Sequence, residues 1–307
     1  MAEILTVPSP AVPAPTAGPA GPAAAGALAM AFVGGSVAVS GTLAGAPLFT
    51  AQAVRYAAAC LLLVLLARLA GRRLVRPRGA EWAWLLGVAA TGLVLFNVAL
   101  VRGAAHAEPA VLGVAVACVP LVLAAAGPLL EGRRPRARVL VAAVAVTAGA
   151  ALVQGAGRTD LIGLGWSAVV LACEAAFTLL AVPVLRRHGP WGVSVHATWI
   201  AAVLFGVLGA GLEQPARLDG RDLLAVGFLA VAVTAVAFVL WYSCVARLGA
   251  GPAGLLTGVA PAAAAATGVA LGGPAPGPLV WVGIAAVAAG LALGLPAQRG
   301  SVTRARK

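Results

Sequence analysis

The strongest constraint in this 307-residue chain is a succession of ten apolar runs, near 24–43, 47–68, 82–101, 109–130, 139–155, 162–184, 191–212, 223–245, 251–272 and 278–296. Each approaches the ~20 residues that a helix needs to cross a hydrocarbon core about 30 Å thick. The gaps between them are short and collect the charges and many of the prolines. In lipid every backbone N–H and C=O must be satisfied within the segment, so runs of this length predict helices rather than strands. With 62% hydrophobic and 10% charged residues and a mean hydropathy of +1.01, the chain is not a soluble protein and has no room for a sizeable soluble domain. The expected fold class is an all-α membrane protein with ten transmembrane helices.

A net charge of +12 would suggest nucleic acid in a polar protein, but here 20 of the 21 basic residues are Arg scattered over the short gaps. They read as topology signals. An even number of spans puts both termini on one side. With the termini inside, inner segments hold 16 basic residues and outer loops only four, Arg102, Arg158, Arg217 and Arg221. This asymmetry predicts cytoplasmic termini in a multi-pass protein of the cell (inner) membrane.

The two halves resemble each other. A shift of 141 residues pairs Pro120 with Pro261, Leu130 with Leu271, Gly132 with Gly273 and Val139 with Val280, and lays AVTAGAAL (145–152) on AVAAGLAL (286–293) with six of eight positions identical. The division expected is a disordered Ala/Pro-rich tail 1–23, a first five-helix repeat 24–155, a second 162–296 and a basic cytoplasmic tail 297–307. Five spans per repeat is an odd number, so the second copy crosses the membrane opposite to the first. Inverted repeats of this kind are a layout of secondary transporters.

Several local features belong together: Gly34 and Gly35 in the first run, Pro47 followed eight residues later by Arg55, VPLVLAAAGPLLEGRRP at 119–135, and TAVAFVLWYSCVARLGAG at 234–251. In this ensemble the chain resembles the EamA-type branch of the drug/metabolite transporter superfamily. The resemblance covers about 24–296 and implies ten helices in two five-helix repeats. It also implies transport of a small organic metabolite, with export favoured. One departure stands out: the acidic residue usual at the end of the ninth helix is absent, since the chain reads LGGPAP there, and Glu131 is left without a counterpart.

Enzyme constellations are missing, so no enzyme is expected. Glu3, Asp160, Glu213, Asp219 and Asp222 sit in the tail or outer loops with no nucleophile and base pairing, and no GxxxxGK[ST] loop for ATP occurs. Cys60, Cys118, Cys173 and Cys244 lie singly in four runs, which argues against disulfides and metal ligation. No cofactor and no metal site are expected.

What remains are polar and aromatic residues within the spans. A central Arg or acid costs about 2.5–3.5 kcal/mol on insertion scales, so Arg55 and Glu174 should face a bundle interior or a wet cavity. They are either an ion pair that fixes packing or groups that handle substrate and protons. Asn97, the only Asn, suggests a helix-to-helix hydrogen bond or a substrate contact. His196 lies in the seventh span near the position that mirrors Arg55, and Trp199, at mid-depth, is a candidate aromatic wall of a substrate cavity. The other six Trp, with Tyr242 beside Trp241, fall near span ends where aromatic belts belong. Pro120 and Pro261 interrupt the fourth and ninth spans as symmetry mates, so they are the candidate hinges of an alternating-access cycle.

The function expected is a secondary transporter exporting a small amino-acid-like, amine or drug-like metabolite, with Glu174 as the candidate proton-coupling group. Uptake is the alternative in the same class, and a transport-inactive scaffold or sensor subunit the alternative in another. The partners expected are the small-molecule substrate and the lipid bilayer, not nucleic acid, with a homodimer left open.

Overall fold

The computed structural model describes residues 20–295 except 44 and 215–216. The basic tail expected at 297–307 and residues 1–19 of the expected disordered tail lie outside the described residues. Residues 20–23 are already helical rather than part of a tail.

All the expected runs are helical. They are α1 (Gly21–Gly41), α2 (Leu48–Leu69), α3 (Glu81–Gly103), α4 (Pro109–Leu130), α5 (Ala137–Gln154), α6 (Leu161–Leu179), α7 (Val182–Leu212), α8 (Gly220–Leu248), α9 (Ala250–Ala270) and α10 (Pro278–Gly294). Among the described residues there is no strand, only an isolated bridge between Ala107 and Thr159. The first nine helices are long and apolar enough to cross a membrane, and α10 is a shorter apolar helix of 17 residues. Arg72, Arg73, Arg76 and Arg78, Arg133 to Arg138, Arg186, Arg187 and Arg247 lie at one end of the bundle, called here the basic end.

The helix starts show how the sequence sets boundaries. Pro109 and Pro278 occupy first-turn positions, where a missing N–H costs nothing. Asp160 accepts from the Gly163 N–H, and Asp219 and Asp222 form a reciprocal capping box. Glu213 acts at long range. Its two oxygens accept from the Phe49 N–H (2.7 Å), the Thr50 N–H (2.8 Å) and the Thr50 hydroxyl (2.7 Å), tying the end of α7 to the start of α2. Asp160, Glu213, Asp219 and Asp222, placed in outer loops from the sequence, thus serve as helix caps.

Six helices are interrupted: α1 at Ser36, α7 at Gly189, and four more in matched pairs. α4 breaks at Cys118 just before Pro120, and α9 passes through a 3₁₀ turn, Leu255–Gly258, just before Pro261. α3 and α8 each contain a wide π-helical stretch, Val88–Leu95 and Leu229–Val236, and these two are separated by the same 141 residues as the sequence repeat. α7 breaks alone, at Gly189 (φ 64°, ψ 177°), a backbone conformation essentially reserved for glycine. A short helix carrying Arg186, Arg187 and His188 therefore precedes the long one that begins at Pro190.

The tightest pair is α5 with α10. A Cβ on Gly149 would lie 2.6 Å from the Gly283 carbonyl oxygen and 2.8 Å from the Val287 nitrogen, and one on Gly290 would meet Val146 at 2.7 Å. Small residues let backbones approach where lipid supplies no hydrophobic drive between helices. These contacts run from Val153 with Gly283 to Ala142 with Gly294, so α5 and α10 are antiparallel. They are also reciprocal: Val146 meets Gly290, and their counterparts at +141 and −141, Val287 and Gly149, meet each other. Reciprocity of this kind is the mark of a two-fold relation. At the ends of α4 and α9 the equivalence slips by one residue. Gly132 (φ 70°) corresponds to Gly272 (φ 89°) rather than to Gly273, because α9 is one residue shorter.

Candidate functional site

Arg55 lies half-buried on α2. Its Nε donates to the Thr234 hydroxyl at 2.9 Å and its Nη1 to the Gln52 side-chain oxygen at 3.3 Å, and its guanidinium carbon stands 5.2 Å from the Tyr56 ring centroid. Thr234 is fully buried in the π-helical stretch of α8. The Tyr56 ring stacks on Phe205 of α7 at 5.6 Å and 11°. Its hydroxyl accepts from Asn97 Nδ2 at 3.3 Å, and the same amide donates to the Leu93 carbonyl at 2.7 Å in the π-helical stretch of α3. Leu93 and Thr234 are counterparts at the 141-residue shift. Through Arg55, Tyr56 and Asn97, α2 is thus bonded to equivalent points of both wide turns, a feature that recurs at functional sites in helices.

Glu174 is half-buried on α6 and has neither a hydrogen bond nor an ion pair among the described residues. The Arg55 to Glu174 ion pair, one of the two expectations for these residues, is not formed. One turn further along α6, Phe177 and Thr178 anchor α8: the Tyr242 hydroxyl donates to the Phe177 carbonyl and the Trp241 indole N–H to the Thr178 hydroxyl, both at 3.0 Å. Trp241 and Tyr242 are 3% and 0% exposed, so they are core residues and not part of an interfacial belt. Trp82, Trp84 and Trp281, in contrast, are exposed at helix ends as an aromatic belt requires. The Phe177 ring packs against both α8 aromatics, with centroids 4.8 Å from Phe238 and 5.1 Å from Tyr242.

Thr234, Phe238, Trp241 and Tyr242 are spaced four, three and one apart, hence on one face of α8. That face carries Arg55 at one level and, two turns or about 12 Å on, the anchors beside Glu174. The structure thus places a guanidinium and an unpartnered carboxylate along one aromatic-lined helix face. Tyr56, Thr234, Phe177 and Phe238 were not singled out from the sequence. The signal available was the 238/242 aromatic spacing and a tyrosine adjacent to an in-span arginine.

His196 and Trp199 form a separate group nearer the basic end. The Trp199 indole donates to His196 Nδ1 at 3.1 Å, which leaves the ring proton on Nε2 to donate to the Val75 carbonyl at 2.9 Å, so this histidine is satisfied as a neutral ring. Trp199 meets Trp82 edge-on at 6.0 Å, and the two line an open groove of about 330 Å³ with Leu86, Ile200, Val203 and Leu204. Since Trp82, Leu86 and Val203 are exposed, Trp199 walls a lateral groove rather than the α8 face that holds Arg55. Pro120 and Pro261 are both buried beside the breaks in α4 and α9.

At the opposite end, His106 and Glu108 are both paired. His106 Nδ1 is 3.0 Å from Asp160, and Arg158 donates to Glu108 at 2.8 Å, joining the α3–α4 and α5–α6 connections. The Gly163 N–H, then His106, hold the Asp160 carboxyl below its ordinary value, and Arg158 does the same for Glu108. No group of three or more His, Cys, Asp or Glu that could hold a metal occurs among the described residues.

Apolar helices packed through glycine contacts, with polar groups turned to the bundle interior, define a multi-pass membrane protein. The EamA-like transporter family matches residues 21–154 and again 161–295, and the chain belongs to that family. It is 26% identical over 252 residues to the "Uncharacterized transporter YetK" of Bacillus subtilis (strain 168), covering 78% of this chain and 76% of that protein. It is 30% identical over 224 residues to a "Probable terminal-alkyne amino-acid exporter" of Streptantibioticus cattleyicolor, covering 71% of this chain and 74% of the relative. A solved crystal structure superposes with a TM-score of 0.75 at 21% identity, over 89% of this chain and 96% of the other, a likeness of fold alone. Family and relatives point to transport rather than catalysis.

Proposed function

We propose that this protein is a secondary transporter that exports an amino-acid-like zwitterion by alternating access, with Arg55 binding the carboxylate and Glu174 the ammonium group. The observation that carries the reading is the pair of opposite charges along one face of α8, Arg55 fixed by Thr234 and Glu174 left without a partner. A guanidinium fork suits a carboxylate, and an uncompensated acid inside a bundle is held for function. Phe177, Phe238 and Tyr242 supply an apolar wall for the side chain. The relative named as an amino-acid exporter supports both substrate class and direction.

In this reading ten helices cross the inner membrane as two inverted five-helix repeats, 24–155 and 162–296, with the basic end and both termini cytoplasmic. The antiparallel, reciprocal packing of α5 on α10 supports the inversion, and the basic asymmetry supports the orientation. Pro120 and Pro261 hinge the paired breaks. Asn97 and Tyr56 hold the wall opposite α8, while His196 and Trp199 steady the cytoplasmic approach. Export is driven by protons, because Glu174 alternates between a proton and the substrate ammonium as access changes.

The test is counterflow in proteoliposomes preloaded with a neutral amino acid, without and with an imposed pH gradient. Glu174→Gln weakens exchange but leaves it measurable at high amino-acid concentration, because Arg55 still holds the carboxylate, and loses gradient-driven accumulation. Accumulation unchanged by that substitution would remove Glu174 from coupling.

A further inference from the structure

The basic end of α4 supplies a carboxylate that the substrate reading does not use. Glu131 follows the last residue of α4, with its side chain 15% exposed. Its Oε1 accepts from the N–H of Ala250, the first residue of α9, at 2.7 Å, and its Oε2 pairs with Arg133. The Ala250 N–H is one of the donors that a helix start leaves without an internal partner, and a carboxylate there also meets the positive end of the helix dipole. The surroundings are built to admit this contact. Gly249 has φ 83°, and a Cβ on it would lie 2.6 Å from Arg133 Nη2 and 2.9 Å from Glu131 Oε2. Behind the carboxylate the helices touch through Gly127 on Ala250 and Gly254 on Leu123.

The other end of the same helix pair repeats the backbone without the chemistry. α9 closes as α4 does: Leu271, Gly272 and Gly273 bond back to Thr267, Val269 and Gly268, as Glu131, Gly132 and Arg133 do to Gly127, Leu129 and Pro128. Leu271 (φ −88°, ψ 13°) therefore occupies the place of Glu131 (φ −86°, ψ 4°), and the first residue of α4, in the place of Ala250, is Pro109, which has no N–H. Acceptor and donor are both missing there. Exposure at equivalent positions follows: Ala250, Gly251 and Gly254 are buried where Pro109 is exposed and Ala110 and Gly113 are half-buried, and Leu271 is exposed where Glu131 is half-buried.

We infer that Glu131 is a one-sided latch, a positioning residue that holds the basic-end seam between α4 and α9 shut through the Ala250 N–H, and that the missing counterpart biases the resting protein toward the state open at the opposite end. The inference rests on the alternating-access reading above, but not on the identity of the substrate. A substrate that drives the cycle must break this contact before the basic end opens, so its removal shifts the populations of the two states rather than the chemistry of recognition.

The experiment is a spin-label distance measurement on the full-length protein in lipid nanodiscs, with the four native cysteines replaced by alanine. One pair of labels sits at the exposed positions Arg134 and Arg247 of the basic end, the other at the exposed positions Ala105 and Gly273 of the opposite end. With Glu131 intact the basic-end pair gives one short distance. Glu131→Ala raises the long-distance fraction roughly tenfold, in line with loss of a charge-assisted hydrogen bond, and shortens the opposite-end pair. Glu131→Gln gives a smaller shift of about threefold, because its amide oxygen still accepts from Ala250 while the charge is lost. Should Glu131→Ala fail to yield monodisperse protein, Glu131→Gln decides alone. Distances unchanged in a monodisperse variant would overturn the latch. A clear shift in protein that transports no amino acid would leave the latch standing and sink the substrate reading.

Discussion

Thr234→Val separates the geometry of the substrate site from its charges. Valine has nearly the shape of threonine, and Thr234 is fully buried, so the packing of α8 is kept while the acceptor for Arg55 Nε is removed. A hydrogen bond from a charged group is worth about 1.5–3 kcal/mol where water cannot replace it. Arg55 is only half-buried and keeps its 3.3 Å bond to Gln52, so the loss falls to the bottom edge of that range or just below it, about 1–1.5 kcal/mol of positioning. The expected outcome is a KM for amino-acid export raised about five- to tenfold at unchanged melting temperature, since 1.4 kcal/mol is a factor of ten. Initial rates of counterflow at graded substrate, at matched protein per vesicle, measure it. Thr234→Ser, which keeps the hydroxyl, should restore most of the affinity. A KM unchanged in Thr234→Val would refute the reading that α8 orients Arg55 for substrate.

Two further outcomes test the architecture. Single cysteines at Gly79 and Gly157, introduced into cysteine-free protein, should label oppositely with a membrane-impermeant reagent, Gly157 from outside, and equal labelling from outside would remove the inverted topology. Gly149→Ala should lower the melting temperature, because its Cβ meets the Gly283 and Val287 backbones, whereas Gly211→Ala, with open space around it on α7, should be neutral or stabilising; a reversed order would contradict the α5–α10 packing.

The helix positions were legible because a bilayer fixes the apolar length, and the runs needed only their charged and proline-rich borders to be placed within a few residues. Arg55 and Glu174 stood out for the same reason, as charges where charge is costly. Other features have no such signal. The π-helical stretches of α3 and α8 read as ordinary apolar helix, since nothing in VAATGLVL or LAVAVTAV marks a wide turn. Trp241 and Tyr242 sat near a span end and read as interfacial, but their polar edges find partners on α6 more than 60 residues away, which lets both be buried. The cap that Glu213 forms on α2 spans 164 residues, beyond the reach of any local pattern. Gly189 and Pro190 read as the gap between the sixth and seventh runs, but the turn between those helices falls at Leu180 and Ala181, inside the sixth run, where apolar residues give no signal, and 182–188 form a short helix ahead of Gly189.

The most direct measurement of the central claim crosses two variants with three ligands. Binding to purified protein is measured for a neutral amino acid, for its amine analogue lacking the carboxylate and for its N-acetyl analogue lacking the ammonium group. Wild-type protein should prefer the amino acid over both. Arg55→Ala should erase the preference over the amine and keep that over the N-acetyl acid, while Glu174→Gln should do the reverse. Variants that retain both preferences at wild-type ratios would show that these two residues do not read the two ends of a zwitterion.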